Sequence, residues 1–106
     1  MRRALRAEFH ATPGQVVDAV RAVLSRHPYR DTDEQSEGRH FVTIIDPGWW
    51  VIPTPMSVEI GNESEGQVLV RAVFRSSGLF FIDPLDHSGR FIRRFFRSVA
   101  KNLEVA

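Results

Sequence analysis

Between Phe91 and Leu103 the apolar residues Phe91, Ile92, Phe95, Phe96, Val99, Ala100 and Leu103 recur at helical spacing, while Arg90, Arg93, Arg94, Arg97 and Lys101 take the other face. A helix of this kind hides one stripe and wets the other. The stripe must be buried against a second layer of structure, so this segment dictates that the rest of the chain supply one. The spacing predicts a helix over 88–104, opening at Asp86 or Ser88.

The second layer reads as a sheet. Leu5, Ala7 and Phe9 alternate with Arg6, Glu8 and His10, the period-two signature of a strand with one buried face, over about 3–10. Thr12 then precedes Pro13 and stands three residues before Gln15. A hydroxyl cap, a proline at the first helical position and a capping-box partner predict a helix over 13–26, with Val16, Val20, Val23 and Leu24 on one side. His27 and Pro28 end it. The polar, acidic stretch 29–38 reads as a solvated connection closed by Gly38.

Residues 40–45 (HFVTII) form a β-branched and aromatic run stopped by Asp46, Pro47 and Gly48. Met56, Val58 and Ile60 alternate with Ser57 and Glu59 as a third strand, residues 61–66 (GNESEG) read as a hairpin loop, and a fourth strand runs over 67–76. The segment 78–89 (GLFFIDPLDHSG) is apolar but broken by glycine and proline, which predicts a pinned loop. The order is β-α-β-β-β-α. Hairpin-joined strands and two one-faced helices bury their apolar surfaces by placing both helices on one face of an antiparallel sheet. The expected fold is therefore an α+β two-layer sandwich with a four-stranded antiparallel sheet, its outer face carrying Arg6, Glu8, Glu59, Arg71 and Arg75.

With 106 residues, 42% of them hydrophobic and 25% charged, the expectation is one domain, 1–106, with a packed core. The chain has no cysteine, which excludes disulfides, thiolate metal sites and thiol nucleophiles. The opening MRRALRAEFHATPG lacks the continuous apolar run of a signal peptide, and no stretch approaches the roughly 20 apolar residues of a membrane-spanning helix. A soluble, cytoplasmic chain is expected. The net charge of +1 creates no long-range demand for a nucleic acid or a membrane.

From Arg75 onward the chain resembles the C-terminal half of a bacterial family, domain of unknown function 1499. That family's ending runs arginine-serine-x-serine-arginine-x-glycine, then aspartate-x-glycine-x-asparagine, then an arginine-rich helix with isoleucine and phenylalanine inward. Arg75 and Ser76 fit the opening pair, and Ile92 and Phe95 fit the helix. The middle departs from the pattern, because Leu79, Phe80 and Phe81 replace the second arginine and the glycine, and Asp83 stands one position out of register. The resemblance implies the fold and carries no activity.

The most unusual local feature is Trp49-Trp50, set between Pro47-Gly48 and Pro53-x-Pro55. Adjacent side chains of an extended segment point to opposite sides, so at most one indole enters the main core unless the chain bends. The other is a candidate anchor for a ligand or partner. If both indoles cover core edges, the pair is structural. Phe80 and Phe81, in the 78–85 loop, and Arg75 complete the candidate binding set, and the expected partner is a second copy of the chain or a small apolar ligand.

The arginine stripe of the last helix has no exposed aromatics interleaved with it, so it reads as a solvated face and no nucleic-acid partner is expected. Acid and base candidates are His10, His27, His40 and His87 with Asp46, Asp83 and Asp86, and Asp83, Asp86, His87 and Ser88 offer the residue types of a hydrolase. Those four also read as ordinary turn and helix-cap residues. No spacing announces a metal, a cofactor or a named enzyme class. The sequence thus supports a non-enzymatic binding or interaction module, with a small hydrolase-like or isomerase-like enzyme using His and Asp as the alternative.

Overall fold

A computed structural model of the chain describes residues 2–46, 53–64, 66–75 and 87–105. The elements run β1 (Arg2–Phe9), α1 (Pro13–Leu24), β2 (Tyr29–Gln35), a single 3-10 turn (Ser36–Gly38), β3 (His40–Ile45), β4 (Thr54–Ser64), β5 (Gln67–Arg75) and α2 (His87–Val105). The five strands form one antiparallel sheet in the order β1-β5-β4-β3-β2.

Helix α1 starts as its sequence dictates. The Thr12 hydroxyl accepts from the Gln15 amide at 3.2 Å, and the Gln15 side chain accepts from the Thr12 amide at 3.0 Å. It stops at Leu24, two residues short of the expected end, with Ser25 as its cap: the Arg26 amide donates to the Val23 carbonyl at 3.2 Å and the Ser25 hydroxyl donates to the Ala22 carbonyl at 2.6 Å.

Directly opposed residues of an antiparallel pair project to the same side. One face therefore carries Leu5, Ala7 and Phe9 of β1, Val68, Val70, Ala72 and Phe74 of β5, Met56, Val58 and Ile60 of β4, and Phe41, Thr43 and Ile45 of β3. Both helices lie on this face. Phe96 meets Phe9 edge-on at 6.3 Å, Phe95 meets Tyr29 at 6.0 Å, and Phe91 stacks on Phe74 at 6.2 Å. Val16, Val20, Val23 and Leu24 of α1 join the same core cluster as Ile92, Phe95 and Val99 of α2. The opposite face holds Arg6, Glu8 and Glu59, all exposed, with the Arg71 guanidinium 3.7 Å from the Glu59 carboxylate.

The sheet has one strand more than the sequence predicts. Residues 29–35 form β2, paired with β3, instead of a solvated connection. After a half-buried Tyr29, every residue of β2 is exposed, so no apolar alternation marks it. Its ladder breaks between Arg30 and Asp33, where Asp31 takes a positive φ of 53°. At the start of that bulge the Arg30 carbonyl lies 3.2 Å from the buried Thr43 hydroxyl. The same hydroxyl is 2.8 Å from that of Thr32, which in turn reaches the Leu24 carbonyl at 3.3 Å. Two hydroxyl protons can fill only two of these three contacts at a time, so the threonine pair links β2 to β3 and to the end of α1 through alternative bonds.

Residues 61–64 likewise belong to strand β4 and not to a loop: Gly61 opposes Leu69 and Asn62 opposes Val68, and the turn is confined to the tip at Gly66, whose φ is 74°. Gly38 allows β2 to fold back under α1. Its φ is 87°, and a Cβ there would meet Val17 Cγ1 at 2.6 Å. Arg21 of α1 then grips Glu34 of β2 through two bonds of 2.8 and 3.1 Å and also reaches Asp18 at 3.0 Å.

Candidate binding cleft at one end of the sheet

The strand register places several chain ends together. Arg2, where β1 begins, opposes Arg75, where β5 ends; Ile45, where β3 ends, opposes both Thr54, where β4 begins, and Tyr29, where β2 begins. The chain therefore leaves β3 and β5 and re-enters at β4 at one end of the sheet. Trp49, Trp50, Phe80 and Phe81 lie outside the described residues. Arg75 closes β5, and its side chain is likewise outside the description.

A cleft of about 300 Å³ adjoins this end, lined by Val23, Arg26, His27, Pro28, Tyr29, Arg94 and Ser98. Its floor is partly apolar and its rim carries hydrogen-bond donors. Arg26 is held in place by Asn102, whose side-chain oxygen accepts from its guanidinium at 3.3 Å while its amide donates to the Ala19 carbonyl at 3.4 Å. Arg94 enters from α2, and Ser98 stands one turn further along the same helix. Among the described residues that line the cleft there is no aspartate or glutamate.

Tyr29 sets the chemistry. Burial raises its phenol to about 12, against a weaker opposing pull from Arg94. The ring sits edge-on to Phe95. A phenol that holds its proton this firmly donates a hydrogen bond and does not serve as a base near neutral pH. Among its described residues the cleft thus offers two guanidinium groups, a neutral phenol, a hydroxyl and an imidazole and no carboxylate, a lining complementary to an anion.

The acid and base candidates are dispersed. His10 is exposed just past β1, His40 is half-buried on the open face opposite Glu59, and His27 lines the cleft. Asp46 is engaged by an arginine. It accepts from Arg30 at 2.8 Å, and its amide donates to the Pro28 carbonyl. Asp83 and Asp86 lie outside the described residues, as do the side chains of His87 and Ser88, the first residues of α2. Among the described residues no group of three His, Asp or Glu is placed to hold a metal, and no helix is long and apolar enough to cross a membrane.

Sequence reasoning missed this cleft because its residues come from three elements and each has an ordinary local reading. His27 and Pro28 read as helix stops, Tyr29 as the start of a loop, and Arg94 as one of several solvated arginines. The available signal was the run Arg26-His27-Pro28-Tyr29 at a helix end, together with Arg94 and Ser98 at a spacing that shares one helical face.

No family model matches the chain, and no curated protein matches it. Solved structures do match it. An uncharacterised protein from Bacillus thuringiensis superimposes with a TM-score of 0.55 at 12% identity, over 97% of this chain and 96% of that one. Ara h 8.0201 superimposes with a TM-score of 0.50 at 9% identity, over the whole of both chains. Their resemblance is to a helix-grip fold, in which an antiparallel sheet embraces a C-terminal helix. At such identities the likeness shows the fold alone.

Proposed function

We propose that this chain is a non-enzymatic binding module for a small ligand that joins an apolar body to one anionic group. The observation that carries the reading is the convergence of Arg26, Arg94, His27, the protonated Tyr29 and Ser98 on one cleft whose described lining includes no carboxylate. A carboxylate or phosphate would accept from the guanidinium groups and the phenol together. The aromatic set read from the sequence, Trp49, Trp50, Phe80 and Phe81, is proposed to receive the apolar body. Aromatic side chains in a proline-bounded segment bury large areas at small entropic cost, which suits them to that half of the ligand.

Decanoate, decanol and inorganic phosphate separate the two halves of the reading when titrated into the full chain by calorimetry, with tryptophan fluorescence in parallel. The expected result is that decanoate binds and changes the fluorescence, that each of the other probes binds at least about tenfold more weakly, and that Arg94→Gln weakens decanoate by about tenfold or more, in line with the loss of a charge-assisted bond. Equal affinity for decanol and decanoate would remove the anion site from the proposal. Decanoate binding without a tryptophan response would remove the aromatic segment from it.

A further inference from the structure

The two edges of the sheet are protected very differently. Edge strand β2 is bulged between Arg30 and Asp33, includes a positive φ at Asp31, and presents Asp31, Asp33 and Glu34. These are the devices by which proteins prevent an edge from pairing with another strand. Edge strand β1 is charged as well, with Arg3, Arg6 and Glu8 exposed, but its ladder is unbroken. Its eight residues pair with β5 in unbroken register from Arg2 to Phe9, with no proline and no bulge.

We infer that β1 is the interface for a second copy of this chain, paired antiparallel edge to edge so that the two sheets become one of ten strands. A two-fold axis that sets two identical edge strands antiparallel must stand perpendicular to the sheet, so both copies keep their helices on the same side. Residues with inward side chains then oppose inward ones and outward oppose outward. Such registers differ in what they do to the exposed charges. One slides Arg6 onto the partner's Arg6, and another slides Glu8 onto the partner's Glu8. The register centred on Ala7 sets Arg6 against the partner's Glu8 twice by symmetry, and Leu5 against the partner's Phe9 twice on the core side.

This register also answers a charge conflict within the protomer. Arg6 is exposed and stands directly opposite Arg71 in the β1–β5 ladder. Like charges opposed in this way repel. The Arg71 guanidinium is turned toward Glu59 at 3.7 Å, and Glu8, whose opposite number is Leu69, is exposed with no cation across the ladder. Seating the partner's Glu8 beside Arg6 gives both residues an opposite charge directly across a ladder, which β5 does not provide, while the outward main-chain groups of β1 gain hydrogen-bond partners.

Sedimentation equilibrium of the full chain tests the interface. The wild type is expected to show a reversible dimer. Glu8→Arg, which places two arginines together at both symmetric positions, should weaken it by about a hundredfold, a tenfold loss at each pair. The exchange Arg6→Glu with Glu8→Arg restores opposite charges and should restore the dimer, with circular dichroism confirming that each variant is folded. Because the chain has no cysteine, Ala7→Cys provides a second readout: under oxidation it should cross-link across the two-fold axis, whereas Ala4→Cys, about 20 Å from its symmetry mate at 3.3 Å per residue, should not. A wild type that sediments as a monomer throughout, a dimer indifferent to Glu8→Arg, or a charge exchange that fails to restore association would overturn the inference.

Discussion

Tyr29 is the chain's only tyrosine, so its titration can be followed by phenolate absorbance without ambiguity. Burial raises the phenol from near 10 to about 12. The folded chain therefore holds this proton more tightly than the unfolded chain does. The resulting stability is fully present below pH 10 and is lost as the pH climbs from about 10 to about 12, because over that window the unfolded state has released a proton that the native state retains. Each tenfold difference in proton affinity corresponds to about 1.4 kcal/mol. For a ring that is only half-buried, we expect about 2 kcal/mol of stability to disappear across the window.

The assay is an alkaline titration read at the phenolate band, with far-UV circular dichroism at each point to confirm that the chain is folded. The expected midpoint is near 12. Arg94→Gln should move it higher, because that guanidinium favours the phenolate, and Phe95→Ala should move it toward 10 by admitting water beside the ring. A folded chain titrating near 10 would show that the phenol is wet, and the description of the cleft as a low-dielectric donor site would then fail.

Two further predictions concern the frame that holds the cleft. Phe95 is fully buried between Tyr29 and Phe96, and Phe95→Ala should cost about 3–5 kcal/mol in urea unfolding with an unchanged slope; a loss under about 1 kcal/mol would mean the aromatic stripe of α2 does not support the core. Gly38→Ala should destabilise by about 2 kcal/mol or more, since it combines a left-handed backbone with a 2.6 Å approach to Val17, and Val17→Ala in the same chain should recover part of the loss.

The parts of the fold that were legible in the sequence are those whose residues have one local job. Thr12, Pro13 and Gln15 announce a helix start through hydrogen bonds that close within four residues, and the Phe91 to Leu103 stripe announces a buried helical face. Strand β2 was illegible for the complementary reason. An edge strand over the acidic run 29–35 is stabilised by main-chain bonds to β3, by the Thr32 and Thr43 relay and by the Arg21 grip on Glu34, and none of these leaves a periodic apolar signature. Polarity marked these residues as solvated, which they are, and solvated is not the same as irregular.

The cleft shows the same limit at the level of chemistry. Arg94 cannot be told from Arg93 or Arg97 by sequence, since all three lie on the polar side of one helix; only the position of β2 decides which of them overlooks Tyr29. That position rests in turn on Gly38 and on the bulge at Asp31. The strand that the sequence concealed is therefore the one that creates the cleft: had residues 29–38 been a loose connection, Tyr29 would be hydrated, its phenol would titrate near 10, and Arg26 and Arg94 would be two unrelated surface charges. A change that frees β2 without touching any cleft residue should accordingly lower the Tyr29 midpoint. Gly38→Ala examined by the same alkaline titration, in the fraction of chains that are folded, applies this reasoning directly: a midpoint that falls toward 10 supports the link between the edge strand and the site, and an unmoved midpoint near 12 refutes it.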